Sequence, residues 1–195
     1  ENCPILNRIG SLLMTRKSNF DKAIEYFALA DERGCTNDLT YYSWGRALEK
    51  KKDLDGAIAK FKLTLEKNPE HADATVYLAK TQLQNQQYEE AMVTINKAIK
   101  LKSSGFAYAT RGEIRTKLFK TIEIVKDGKY QKDETGVAQI RELKCAIADF
   151  DRAKRDKAYQ KFSTQYIDWC NKTIDNLYNY EFMLADVTLD QITCK

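Results

Sequence analysis

The sequence predicts an all-α chain of stacked helical hairpins, and three observations carry that prediction. Alanines recur at a fixed interval: Ala57 stands as far from Ala23 as Ala91 stands from Ala57. Only two prolines occur, Pro4 and Pro69, so long stretches hold no helix breaker. Apolar residues recur at three- and four-residue intervals rather than alternating.

The period extends to the neighbours of those alanines. Three residues earlier come Phe20, Leu54 and Tyr88, and four residues later Phe27, Phe61 and Ile95. Seven later come Ala30, Thr64 and Ala98, and twelve earlier the small residues Ser11, Gly45 and Ala79. The physical sense is a pair of helices. Small residues on the first let the second approach, and the alanine-centred stripe on the second gives it one apolar face. Polar turns join the pair at Lys17-Ser18-Asn19, Lys51-Lys52-Asp53 and Asn85-Gln86-Gln87. Breaks at Gly34-Cys35-Thr36-Asn37, Asn68-Pro69-Glu70 and Ser103-Ser104-Gly105 separate one pair from the next. A lone pair cannot cover its apolar face, so neighbours must stack.

On these residues the chain resembles the tetratricopeptide repeat family, whose helix–turn–helix unit has this period. The resemblance is direct over about 4–116. The second copy is the nearest to the family pattern, with Tyr41, Trp44-Gly45, Ala57, Phe61 and Pro69. The first departs at Ser11 and Cys35, and the third at Ser103. The resemblance implies a right-handed α–α superhelix whose first helices line a concave groove. Repeats are expected at about 4–36, 38–70, 72–104 and 105–156, in one solenoid domain over 1–185 with a tail at 186–195.

The fourth copy is split. Ala107 to Gly112 opens a first helix, and Ala146, Phe150 and Ala153 give the second, well beyond where the period demands it. The expectation is an insertion over 117–138. It consists of a first helix lengthened to about Lys126, a turn at Asp127-Gly128 and a polar loop through Gly136. Tyr159, Phe162, Tyr166, Trp169, Cys170, Ile174 and Leu177 then mark a capping helix over 158–184 that closes the last open face. No regular structure is expected after Asp186.

Composition narrows the function classes. The net charge of +4, from 32 basic and 28 acidic residues, is too mild to predict nucleic-acid binding by itself. No apolar run approaches the length of a membrane span. Cys3, Cys35, Cys145, Cys170 and Cys194 contain no C-x-x-C pair and read as reduced thiols of a cytoplasmic protein. The first residue is Glu1, not methionine, which keeps a periplasmic or secreted chain with one or two disulfides as the alternative. The sequon Asn171-Lys172-Thr173 lies in a helical pattern and reads as a chance match.

Catalysis is not predicted: no catalytic residues, cofactors or metal ligands are assigned. The single histidine, His71, reads as a surface residue beside a helix start, and no glycine-rich phosphate loop exists. Glu89-Glu90 and Asp149/Asp151 read as solvated helix faces. The resemblance instead points to the groove. By register, its residues are Ile5, Arg8, Leu12, Thr15 and Arg16, then Leu39, Tyr42, Arg46, Glu49 and Lys50. They continue with Asp73, Val76, Lys80, Leu83 and Gln84, and with Phe106, Ala109, Glu113 and Lys117. Basic and apolar residues are mixed there, which suits an acidic peptide or helix of another protein. A solvated basic face is the competing reading. The family's chaperone-tail clamp is disfavoured, since Leu12 and Ser43 stand where it needs asparagines. A nucleic-acid-binding helical repeat is the alternative class; Glu49, Asp73 and Glu113 argue against it.

Overall fold

A computed structural model describes residues 3–17, 19–121, 125–126, 129–130, 132–178 and 189–194. The described residues form nine α-helices and group into two compact units, Glu1–Leu101 and Lys102–Lys195.

The first unit is three helical hairpins: α1 (Cys3–Lys17) with α2 (Phe20–Glu32), α3 (Asp38–Lys51) with α4 (Leu54–Lys67), and α5 (Ala72–Gln84) with α6 (Tyr88–Leu101). Polar residues start most of these helices. Asn19, Asn37, Asp53 and His71 each accept a hydrogen bond from the backbone N–H three residues on, filling a donor the helix leaves open. Lys52 and Gln86, one period apart, turn α3 and α5 into the next helix with φ of 66° and 61°. A repeated link ties one hairpin to the one before it. Lys51 Nζ donates to Asp21 at 3.0 Å, and one period later Asn85 Nδ2 donates to Asp55 at 2.9 Å.

The core of this unit gathers Ala23, Phe27, Tyr41, Trp44, Leu48, Ala57, Ile58, Phe61 and Leu78. Its tightest points are glycines under phenylalanine rings. A Cβ on Gly45 would lie 2.8 Å from the Phe61 ring, and one on Gly10 would lie 2.6 Å from the Phe27 ring. The first hairpin therefore departs from the expected register: the close approach is at Gly10, not at Ser11 beside it. The third hairpin has Ala79 and Ile95 at these positions, both fully buried, so a methyl gained on one helix meets a ring lost from the other.

The second unit pairs α7 (Gly105–Thr121) with α8 (Lys132–Ala153), followed by a 3₁₀ turn (Lys157–Tyr159) and α9 (Gln160–Asn176). Gly112 faces Phe150, with 2.7 Å from a notional Cβ to the ring. The pair repeats the contact of Gly45 with Phe61 across the inserted residues. The insertion itself differs from expectation. α7 ends at Thr121, not near Lys126, because β1 (Val125–Lys126) pairs antiparallel with β2 (Lys129–Tyr130). The expected turn at Asp127-Gly128 lies outside the described residues. The expected loop through Gly136 is helix, since α8 already begins at Lys132.

The tail also departs from expectation. Leu189–Gln191 forms a 3₁₀ turn, Ile192 is only 2% exposed, and Cys194 is disulfide-bonded to Cys145 on α8. Cys35 is disulfide-bonded as well. Reduced thiols are thus the wrong reading for Cys35, Cys145 and Cys194. They hold for Cys170, which is free and buried, its thiol pushed up to about 12 by burial.

Candidate interaction surface

In the first unit, α1 packs on α3 and α3 on α5, so the first helices of the hairpins form one layer. Its centre is an aromatic and ionic cluster. Tyr42 of α3 sits against Phe61, Tyr77 and His71, with ring centroids 6.2, 5.9 and 4.9 Å away. One turn on, the Arg46 guanidinium lies 3.8 Å from the centre of the Tyr77 ring. Its Nη1 donates to the Tyr42 hydroxyl at 3.1 Å, and its Nε stands 3.7 Å from Glu49 Oε2. Arg46 is thereby fixed by a ring face, a hydroxyl and a carboxylate while its side chain keeps 26% exposure. Burial raises the Tyr42 hydroxyl above its ordinary pKa, and the Arg46 cation works the other way.

The other register residues fall into distinct environments. Ile5, Leu12 and Leu39 are exposed apolar side chains, at 47%, 40% and 60%. Arg8, Lys50 and Asp73 are exposed, and Lys80 is half-buried. Arg16 lies on α1, and its side chain is outside the described residues. Val76 is 3% exposed and Glu49 7%, so neither offers a free surface; Val76 belongs to the packed side of α5. With Gly10 and Gly45 as the equivalent pair, Asn7 rather than Arg8 matches Tyr42, and Ser11 rather than Leu12 matches Arg46.

In the second unit, Phe106 stacks on Tyr159 at 5.9 Å, which takes one face of its ring. Lys117 is exposed beside a cavity of about 350 Å³ that Thr116, Gln165, Tyr166 and Trp169 complete. Asp149, expected to be solvated, is 2% exposed. Arg111 grips it with two hydrogen bonds of 2.9 and 2.6 Å, and Arg115 adds one at 3.1 Å while reaching Glu142 at 2.7 Å. Asp151 beside it is exposed. Two residues escaped the sequence reading. Tyr77 stands at the register position of Ser43, which gave no aromatic signal. His71 caps α5 through Nδ1 at 3.2 Å from Ala74 N and lies against Tyr42, so it is not simply a surface residue.

Among the described residues, no three His, Cys, Asp or Glu side chains come together as a metal site, and no helix is long and apolar enough to cross a membrane. The tetratricopeptide repeat family model matches residues 48–109. That segment, about a third of the chain, matches the repeat, and the stacked hairpins around it have the tetratricopeptide-repeat fold. The MamA RS-1 ArsTM double mutant has a similar structure: TM-score 0.63, 14% identity, covering 93% of this chain and 95% of that one. MamA residues 41 to the end from Desulfovibrio magneticus RS-1 gives 0.58 and 17%, covering 92% and 98%. A further MamA crystal structure gives 0.61 and 17%, covering 94% and 98%. At these identities the likeness is one of fold. No curated protein matches the chain.

Proposed function

We propose that this scaffold binds a carboxylate-bearing peptide or helix of another protein across α3 and α5 of the first unit. The carrying observation is Arg46, held over Tyr77 at 3.8 Å and bonded to Tyr42, so that its orientation is set before any partner arrives. A fixed guanidinium favours a carboxylate in two-pronged geometry. Exposed Leu39 on the same helix supplies apolar contact nearby. Glu49 lies 3.7 Å away on the Nε side, and Tyr42 takes a hydrogen bond from Nη1.

The test is titration of the intact chain with acidic peptides and their amidated, charge-neutral counterparts. Arg46→Lys keeps the charge but loses the fork and the stack; it is expected to weaken binding about tenfold, or about 1.4 kcal/mol. Arg46→Glu is expected to abolish binding. Equal affinity for Arg46→Glu and the parent chain overturns the reading. Preference for an oligonucleotide over the peptide, with a steep fall in added salt, transfers the site to the nucleic-acid alternative.

We infer further that the chain works in an oxidising compartment, periplasmic or extracellular. The cytoplasmic expectation leaned on reduced thiols, and the Cys145–Cys194 and Cys35 disulfides support the opposite setting.

A further inference from the structure

The last described segment of the chain is held in two different ways. Leu189 packs against the core that α8 and α9 build, and Ile192 enters that core beside Leu143, Ala146, Phe150, Cys170, Ile174 and Leu177. Lys144 Nζ of α8 donates to the Leu189 carbonyl. Beyond these contacts, Cys194 is bonded to Cys145, closing a separation of 49 residues. The two residues differ in exposure: Cys145 is 4% exposed, whereas Cys194 is exposed. Beside the segment lies a cavity of about 370 Å³, lined by Lys144, Ile147, Asn171, Ile174, Leu189 and Asp190. The segment therefore covers an apolar face of α8 and α9 without filling it. Among its non-covalent holds are two apolar side chains and one lysine, set against the entropy of ordering the segment.

We propose that Cys145–Cys194 is a redox latch, and that opening it lifts Leu189–Cys194 off the α8–α9 face. The co-reactant is a dithiol. One of its thiolates attacks the sulfur of Cys194, the more exposed residue of the pair; the sulfur–sulfur bond breaks and its electron pair leaves on Cys145, which takes up a proton. The dithiol's second sulfur then attacks the mixed disulfide, releasing Cys194 as a thiol and the reagent as a cyclic disulfide. Two electrons pass to the protein, and two protein thiols form. Cys170 takes no part, because burial keeps its thiol protonated and out of reach. With the segment lifted, Ile174 joins the partly exposed Ile147 in facing solvent, an apolar surface that the oxidised chain partly covers. No residue here is shared with the α3–α5 face, so this inference stands or falls apart from the proposed function.

The test is hydrogen exchange on the full chain, oxidised, treated with dithiothreitol, and as Cys194→Ser. The variant separates this bond from the Cys35 disulfide, which the reagent also opens. Expected is at least about tenfold faster exchange over residues 189–194 in both treated and variant chains, with α9 still protected and a hydrophobic dye newly bound. Oxidised Ile192→Ser is expected to keep the segment protected, because the covalent bond remains. Unchanged protection of 189–194 after thiol titration confirms reduction overturns the latch. Loss of protection throughout α8 and α9 overturns it too, since the bond is then a staple for the whole unit.

Discussion

The hairpins α3–α4 and α7–α8 share a scaffold and fill it with opposite chemistry. Gly45 and Gly112 lie under Phe61 and Phe150, which aligns Tyr41 with Tyr108, Trp44 with Arg111, Leu48 with Arg115 and Lys60 with Asp149. In α3–α4 the cation is Lys60, 3.5 Å from the Trp44 ring centre and 3.8 Å from Asp31. In α7–α8 the Trp44 position is Arg111, which lies 5.6 Å from the Tyr108 ring centre, and a buried carboxylate stands between it and Arg115. The contrast teaches that the family spacing fixes where two helices touch, not what touches there. Loss of the Lys60 cation strands no buried ion, because the ring is neutral and Asp31 keeps 36% exposure. A buried carboxylate with paired guanidiniums differs, because each partner alone is a desolvated ion.

Asp149→Ala should break this comparison most sharply. It removes the carboxylate that Arg111 grips, at 16% exposure, and leaves Arg115 to Glu142; the second unit is expected to lose about 3 kcal/mol in urea unfolding. A loss below about 1 kcal/mol would mean the network is no more than a surface pair.

Gly45→Ala and Gly112→Ala probe what the two hairpins share. Both place a methyl within 2.8 Å of a phenylalanine ring, so both should cost about 1–3 kcal/mol of overpacking, reduced by up to about 1 kcal/mol of helix propensity. Similar thermal shifts in the two would support the common geometry; a stabilised Gly112→Ala would deny it.

Lys60→Met is expected to have the smallest effect, within about 1 kcal/mol in either direction. Burial lowers the Lys60 pKa and Asp31 opposes it, so the charged form sits there under tension. A lysine with a lowered folded pKa binds fewer protons folded than unfolded. Stability therefore rises as pH climbs from the folded value to the ordinary lysine value. That rise should vanish in Lys60→Met.

Much of the fold was legible because a repeat prints one packing problem several times. Ala23, Ala57 and Ala91 are each fully buried, as are Phe27, Phe61 and Ile95, where the period places them. Ala146, Phe150 and Ala153 resume the pattern beyond the inserted residues and are fully buried too. The one-residue shift at Gly10 was not, because Ser11 is also small and only the approach of Phe27 tells them apart. Of the groove register, Tyr42 and Arg46 come together as a cluster, but their partner Tyr77 had no counterpart in the other repeats. Asp149 reads as a solvated face because charge pattern along a helix is blind to what the facing helix carries.

By itself, then, the sequence determined the helices, the hairpins, their period and where the period breaks. These follow from local spacing of apolar and small residues, which the backbone geometry of a helix converts directly into faces. The tertiary structure alone decided three things: that Arg46 is held by Tyr42, Tyr77 and Glu49, that Asp149 is buried between Arg111 and Arg115, and that Cys145 reaches Cys194. Each joins side chains from different elements or separated turns. Such meetings depend on distances that no single helix's pattern contains.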